Sequence, residues 1–218
     1  MNSHFAIFAT LALAAGTLLA GPAQADDDRW MIRLRALRIA PADTSDAVPA
    51  LGLPSDQIHV SSKWAPDFDV EYFLSRAWST ELLLTVPQRH DVTLPGVGTI
   101  GSFKHLPPTL TLKYDFRPDS VLRPYVGAGL NVTFISDVNI TVPASAAGGQ
   151  ALPLKLERTS VGPAAQAGID FKLSDRWFAN IDAKYVQIRS DVKLGDGTRV
   201  SRVKVDPWLL GAGGGYRF

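Results

Sequence analysis

Residues Arg123-Pro124-Tyr125-Val126-Gly127-Ala128-Gly129-Leu130-Asn131-Val132-Thr133-Phe134 decide the fold. From Val126 to Phe134 every second side chain is apolar: Val126, Ala128, Leu130, Val132 and Phe134. The positions between them, Tyr125, Gly127, Gly129, Asn131 and Thr133, carry a hydroxyl, an amide or no side chain at all. A strand turns successive side chains to opposite faces, so this period of two describes a strand with one greasy face and one polar face.

The same alternation recurs outward in both directions. Upstream, Trp30, Ile32, Leu34 and Ala36 oppose Arg33 and Arg35, and Phe68, Val70 and Tyr72 oppose Asp67, Asp69 and Glu71. Trp78, Leu82, Leu84 and Val86 oppose Ser79, Glu81, Leu83 and Thr85, and Leu106, Leu110, Leu112 and Tyr114 oppose Thr109, Thr111, Lys113 and Asp115. Downstream, Ala165, Ala167, Ile169 and Phe171 oppose Ala164, Gln166, Gly168 and Asp170. Trp177, Ala179, Ile181, Ala183 and Tyr185 oppose Asn180, Asp182 and Lys184, and the chain closes with Trp208, Leu210, Ala212, Gly214, Tyr216 and Phe218 against Leu209, Gly211, Gly213, Gly215 and Arg217. These eight segments predict an all-β, eight-stranded antiparallel up-and-down barrel, the even number that closure of a bacterial outer-membrane barrel requires.

The links between segments alternate in length. Ile39–Ser62, Asp91–Lys104, Ser136–Glu157 and Asp191–Ser201 are long and rich in Pro, Gly, Ser and Asp. Leu74–Ala77, Arg117–Arg123 and Lys172–Arg176 are short. Short turns at one rim and long loops at the other are the outer-membrane arrangement, with the short turns periplasmic and the long loops extracellular. Trp30, Tyr72, Phe73, Trp78, Tyr114, Phe116, Tyr125, Phe171, Trp177, Phe178, Tyr216 and Phe218 all fall beside the short turns or chain ends, where a membrane barrel places an aromatic girdle and a soluble lipocalin-like barrel has no use for one.

Composition agrees. The 218 residues are 46% hydrophobic and 20% charged, with 22 Lys+Arg against 21 Asp+Glu, a formal net charge of +1. No basic excess speaks for a nucleic-acid partner, and the apolar content exceeds that of a disordered chain. The absence of cysteine excludes a disulfide framework, a thiolate metal site and a cysteine nucleophile together. Residues Met1–Ala25 carry no Lys, Arg, Asp or Glu, hold an apolar run over Ala6–Ala20 and end in Ala23-Gln24-Ala25 before Asp26. They read as a Sec-type signal peptide cleaved after Ala25, leaving residues 26–218 as one barrel domain.

The residues His105-Leu106-Pro107-Pro108-Thr109-Leu110, followed by Arg123-Pro124-Tyr125-Val126-Gly127-Ala128-Gly129-Leu130-Asn131, resemble the OmpW family of outer-membrane proteins. Glu81-Leu82-Leu83, Asp206-Pro207-Trp208 and the closing Gly215-Tyr216-Arg217-Phe218 extend the resemblance across nearly the whole mature chain. It implies a Gram-negative outer-membrane location and a narrow lumen, apolar toward the outside and plugged below. It also implies a role in passing small hydrophobic molecules across the membrane, in a family that includes alkane-uptake proteins. Where the family often has an aromatic, this chain has Val161, which implies a roomier upper cavity. A terminal strand ending in Phe218 resembles the signal read by the barrel assembly machinery.

An eight-stranded barrel is just wide enough for its own side chains to fill, so an open aqueous pore is not expected. The inward set predicts a plug of paired charges made by Arg33, Arg35, Glu81, Lys113, Asp115, Asp170, Asp182 and Lys184. Leu83, Pro87, Thr109 and Leu209 are expected to line the path above it, and Val161 too if its parity, which Pro163 leaves open by one residue, turns it inward. Proline cannot donate to a ladder, and a closed barrel has no edge strand to hide it, yet Pro87, Pro107, Pro108, Pro163 and Pro207 lie in or beside predicted strands. Pro87 and Pro107-Pro108 fall on neighbouring strands near the extracellular end, which predicts a weakened seam between the third and fourth strands. A solute captured by the loops would leave there sideways into outer-membrane lipid. The alternative is that these prolines end their strands early.

Two other classes compete. Ser102, His105 and Asp91 could in principle form the relay of a lipid hydrolase, although no nucleophile motif such as G-x-S-x-G holds them. His90 and His105 could bind a metal, but two ligands are weak evidence against polar histidines at a loop base. A structural or receptor protein, whose long loops meet phage or bacteriocin, is the third class. The glycine clusters at Gly127/Gly129 and Gly211/Gly213/Gly214/Gly215 have no following helix, so they are not phosphate loops but relieve crowding in a narrow barrel. The expectation is a monomer or weak oligomer without cofactor or metal.

Overall fold

The computed structural model describes residues 28–42, 44–47 and 54–218. The expected signal peptide, Met1–Ala25, lies outside the described residues. The described residues form fifteen strand segments: β1 (Trp30–Ala40), β2 (Thr44–Ser45), β3 (His59–Val60), β4 (Lys63–Phe73) and β5 (Trp78–Thr85) come first. Then follow β6 (Gln88–Leu94), β7 (Gly98–Leu106), β8 (Thr109–Asp115), β9 (Leu122–Val142) and β10 (Leu152–Leu156). The last are β11 (Thr159–Lys172), β12 (Trp177–Val186), β13 (Arg189–Leu194), β14 (Arg199–Lys204) and β15 (Trp208–Arg217).

Eight of them close the barrel. The antiparallel order is β1, β4, β5, β8, β9, β11, β12, β15, and β15 returns to β1 with Ile32 opposite Tyr216 and Ile39 opposite Leu209. Closure gives each wall strand a partner on both sides, which lipid could not supply. Two of the short turns share one construction. In Leu74-Ser75-Arg76-Ala77-Trp78 and Leu173-Ser174-Asp175-Arg176-Trp177 the leucine N–H donates to the tryptophan carbonyl (2.9 Å in each). The tryptophan N–H donates in turn to the serine Oγ, at 3.1 and 3.2 Å.

The long links are not irregular loops. Much of each continues as strand, and together they build a second tier above the wall. Its order runs β3, β6, β7, the upper half of β9, β10, β13, β14, β2. β9 alone spans 21 residues and serves both tiers. These extensions escape a sequence reading because their alternation runs for six to nine residues between turn clusters such as Pro95-Gly96-Val97-Gly98 and Asp196-Gly197. Gly197 takes φ +94°, the left-handed backbone that a tight hairpin turn requires.

The two tiers have opposite polarity. In the wall the outward side chains are apolar and exposed, among them Leu34, Leu110, Leu112, Leu130, Ile181 and Leu210, while Arg33, Asp69, Glu81, Lys113 and Lys184 are buried inside. In the upper tier Val60, Val92, Phe103, Ile135, Ile140, Val192 and Val203 point inward as one apolar cluster, and Arg89, Arg189 and Arg199 are exposed. The wall is therefore built for lipid and the upper tier for water. The change occurs along single strands: on the inner face of β1, Arg33 and Arg35 give way to Leu37 and Ile39, and on β12, Asp182 and Lys184 give way to Val186.

Aromatic rings gather at the short-turn end, in pairs Trp30–Tyr72 (4.8 Å), Trp78–Tyr114 (5.0 Å) and Trp177–Tyr216 (5.0 Å) between centroids. Three of the expected girdle residues turn inward instead. Phe73 and Phe178 join Met31 in a buried cluster at the periplasmic end, and Tyr125 is buried in the lumen. The parity of their strands places them on the charged face.

Candidate functional site

The lumen is filled by one ion-pair network. Arg33 lies on β1, with β4 on one side and β15 on the other, and its guanidinium meets Asp69 (3.2 Å), Glu81 (3.3 Å), Asp170 (2.7 Å) and Glu71. Two residues along, Arg35 meets Asp67 (2.7 Å), Asp69 (2.8 Å) and Asp182 (3.6 Å), and donates to Asn180 (3.0 Å). Lys113 Nζ sits 2.9 Å from Glu71 and 3.2 Å from Glu81, with the Tyr125 ring 3.9 Å away, and Lys184 Nζ reaches Glu81 at 2.7 Å. Asn180 donates to Asp170 (2.7 Å) and to the Tyr125 hydroxyl (3.1 Å), which itself donates to Asp182 (3.1 Å). Lone charges in so confined a space would be prohibitively desolvated, and pairing among charges from six strands offsets that penalty.

The expected charged set is thus brought together, with two differences. Asp115 is buried on the lumen side but joins no ion pair among the described residues. Asp67, Asp69 and Glu71 belong to the network as fully as any of the eight. The alternation of β4 had placed them on one face; because they face Arg33 and Arg35 across the β1–β4 ladder, that face is the lumen.

Above the network the inner surface becomes apolar. Leu83 and Leu209 are buried on the inner face, where they were expected. Val161 is not: it is 67% exposed on the outer face of β11. Pro163 pairs with Leu130 without any shift of register, so β11 runs straight through it and Val161, Pro163, Ala165 and Ala167 all face outward. The chamber above is narrow, a cavity of about 30 Å³. Ile58, Phe103, His105, Ile135, Ile188 and Val203 are among the residues that line it. The resemblance implied an apolar upper cavity, but not these walls, most of which lie in the long links between the eight expected strands. The signal was present in runs such as His90, Val92, Leu94 and Ser190, Val192, Leu194, which alternate with polar residues.

The prolines sit at the junction of the tiers. The β5–β8 ladder ends at Leu83 opposite Thr109, and the β6–β7 ladder resumes at Gln88 opposite His105. Among the described residues no ladder hydrogen bond joins Leu84–Pro87 to Leu106–Pro108. Each side is held by its other neighbour: Thr85 pairs with Asp67, and the Pro108 carbonyl accepts from Val132 N (3.1 Å) and Asn131 Nδ2 (3.0 Å). A comparable interruption, Gln187–Ile188 against Val205–Pro207, is bridged. There Val186 N donates to the Pro207 carbonyl (3.2 Å), Val205 N to the Ile188 carbonyl (2.9 Å) and Ile188 N to Asp206 Oδ1 (2.9 Å).

His90 and His105 do face each other, on β6 and β7, with ring centroids 4.6 Å apart and planes at 11°. His90 Nδ1 lies 2.6 Å from the Ser61 carbonyl, to which it donates. Ser102 Oγ accepts from Arg89 Nε (3.0 Å), and among the described residues no hydrogen bond links Ser102, His105 and Asp91 into a relay. Among the described residues no group of three or more metal-ligating side chains is assembled.

These features have counterparts in known proteins. The sequence pattern of the OmpW family matches residues 27–218. The chain is 34% identical to outer membrane protein W of Vibrio cholerae over 197 residues, covering 87% of this chain and 88% of that one. It is 28% identical over 208 residues to the dibenzothiophene metabolism operon protein PahQ of Pseudomonas aeruginosa, covering 92% and 93% of the two chains. The crystal structure of the outer membrane protein OprG from Pseudomonas aeruginosa superimposes with a TM-score of 0.76 at 28% identity, covering 88% of this chain and 96% of that one. The apolar outer wall and the charged, sealed lumen are those of an outer-membrane barrel, and the chain belongs to the OmpW family.

Proposed function

We propose that this protein carries small hydrophobic molecules through the outer membrane by capture in the upper chamber and sideways release between β5 and β8. The observation that carries the reading is the unbridged gap at Leu84–Pro87 against Leu106–Pro108, placed between an apolar chamber and a charged plug. An apolar solute that enters the chamber meets Leu83 and Leu209, then the Arg33–Glu81 network, which gives it nothing to dissolve in. Lipid beside the gap receives it at a gain of about 25 cal/mol for each Å² kept from water. The name of the PahQ relative supports the same solute class.

The test is uptake by proteoliposomes of an alkane and of a small hydrophilic solute. The expected result is faster alkane uptake than in empty liposomes, with the hydrophilic solute unaffected. Substituting Val at Pro87, Pro107 and Pro108 restores the ladder donors and should reduce alkane uptake to the level of empty liposomes. A folded triple variant that carries alkane at the wild-type rate overturns sideways release at this seam.

A further inference from the structure

We infer that Arg38 is a docking point for the phosphate of an outer-leaflet glycolipid, held between Trp64 and Trp208 on the lipid-facing side of β1. This surface lies on the outside of the barrel, apart from the upper chamber and the seam.

Charge is sorted between the two faces of the wall. On the eight wall strands every described outward side chain is uncharged except that of Arg38. Arg33, Arg35, Leu37 and Ile39 are buried on the inner face of β1, so Arg38 falls on the lipid face with Leu34 and Ala36. It is exposed, and among the described residues it makes no ion pair or side-chain hydrogen bond. Cations on the segments that continue this face upward do have partners: Lys204 Nζ meets Asp46 at 2.8 Å and Arg189 Nε meets Asp206 at 3.6 Å. A charge on the lipid face with no counter-charge in the protein finds one in the lipid.

The depth of Arg38 decides which part of the lipid that is. Trp30, Trp78 and Trp177 stand at the short-turn end, and the other two tryptophans stand at the opposite end of the wall. Trp64, 69% exposed, is directly opposite Arg38 on β4. Trp208, 51% exposed, is opposite Ala40 on β15, one outward position further up, with its ring 5.4 Å from that of Tyr185. Indole rings settle at headgroup level. From Trp30 to Arg38 the wall climbs about 20 Å, at roughly 3.3 Å per residue and a tilt of about 40°, and so nears the edge of an apolar band about 25 Å tall. The long links lie at this end, which makes it the level of the outer-leaflet headgroups.

The chemistry fits a phosphorylated sugar. A guanidinium presents paired N–H donors that match two phosphate oxygens. Trp64 and Trp208 flank it with amphipathic rings, apolar on the face and polar at the N–H, which suit a sugar ring better than a glycerol headgroup. In the outward row beneath, Pro66, Ala36 and Ala212 are small, so the first acyl carbons can lie close to the backbone.

The experiment is titration of the full chain with lipid A in a neutral detergent, with bound lipid counted by native mass spectrometry. Dephosphorylated lipid A and phosphatidylglycerol are the comparison probes. Wild type should bind lipid A about tenfold more tightly than the dephosphorylated form, the scale of a charge-assisted hydrogen bond, and more tightly than phosphatidylglycerol. Arg38→Gln should weaken lipid A about tenfold and leave the dephosphorylated form within about twofold. Arg38→Lys keeps the charge without the fork and should fall between. Heat-modifiable gel migration reports folding, and a misfolded Gln variant leaves the Lys variant and the wild-type preference among the three lipids to decide. Lipid A binding equally to wild type and to folded Arg38→Gln, or no more tightly than its dephosphorylated form, overturns the anchor. Phosphatidylglycerol binding as tightly as lipid A, with the same dependence on Arg38, overturns the assignment to a glycolipid.

Discussion

Lys184 Nζ lies 2.7 Å from Glu81 Oε1, across the lumen from β12 to β5 and 103 residues away in sequence. Glu81 also takes Arg33 (3.3 Å) and Lys113 (3.2 Å), so one carboxylate joins three cations from three other strands. The barrel's interior is held together through this residue rather than by an apolar core.

Glu81→Gln removes the charge and leaves the cations facing one another. The expected loss is about 3 kcal/mol, the scale for breaking a buried pair from one side. Adding Lys184→Met to that variant should recover part of it, since one stranded cation disappears and the two effects share a partner. Urea unfolding in lipid vesicles, followed by tryptophan fluorescence, measures both.

A small sugar should not cross. The network joins Arg33, Arg35, Lys113 and Lys184 to carboxylates on facing strands, and Met31, Phe73 and Phe178 close the periplasmic end. Proteoliposome swelling in an isotonic sugar should match empty liposomes. Swelling at a porin-like rate would mean that the lumen opens.

The closing glycines are not equivalent. A Cβ on Gly129 would stand 1.9 Å from the Leu110 carbonyl oxygen, and one on Gly213 would stand 2.1 Å from that of Leu34, both rigid backbone. On Gly214 the nearest atom is the Phe178 carbonyl oxygen at 3.6 Å, an ordinary contact. Gly129→Ala should therefore be destabilised by about 3 kcal/mol and Gly214→Ala by less than about 0.5 kcal/mol. Unfolding midpoints in urea distinguish them.

Acid should loosen the upper tier. The folded pKa of His105 is lowered to about 3 by burial and the neighbouring His90, so between pH 6.5 and 3 the unfolded segment binds a proton that the folded one does not. Stability rises with pH across that window and is lost as pH falls through it. Protection of the β6 and β7 amides, taken as hydrogen-exchange rates relative to the intrinsic rate at each pH, should fall between pH 7 and pH 4 in wild type. In His105→Leu the part of that change due to His105 should disappear.

Period-two alternation is a local property of the chain, and so the sequence by itself determined the eight wall strands, their inward and outward faces, and most of the charges that fill the lumen. It determined Arg33 and Arg35 against Leu34 and Ala36 because neighbouring side chains on a strand cannot share a face. What pairs with what was a tertiary matter. Nothing near Glu81 in sequence points to Lys184, and only closure of the barrel brings them within reach. The prolines divide in the same way. Pro107 faces the gap at Pro87, whereas the interruption at Pro207 is bridged by Ile188, Val205 and Asp206, a difference that depends on what the neighbouring strand presents. The upper tier, too, was decided above the level of sequence. Its short alternating runs have the same period as the wall, and only their assembly above the charged plug turns the apolar face inward to make a chamber.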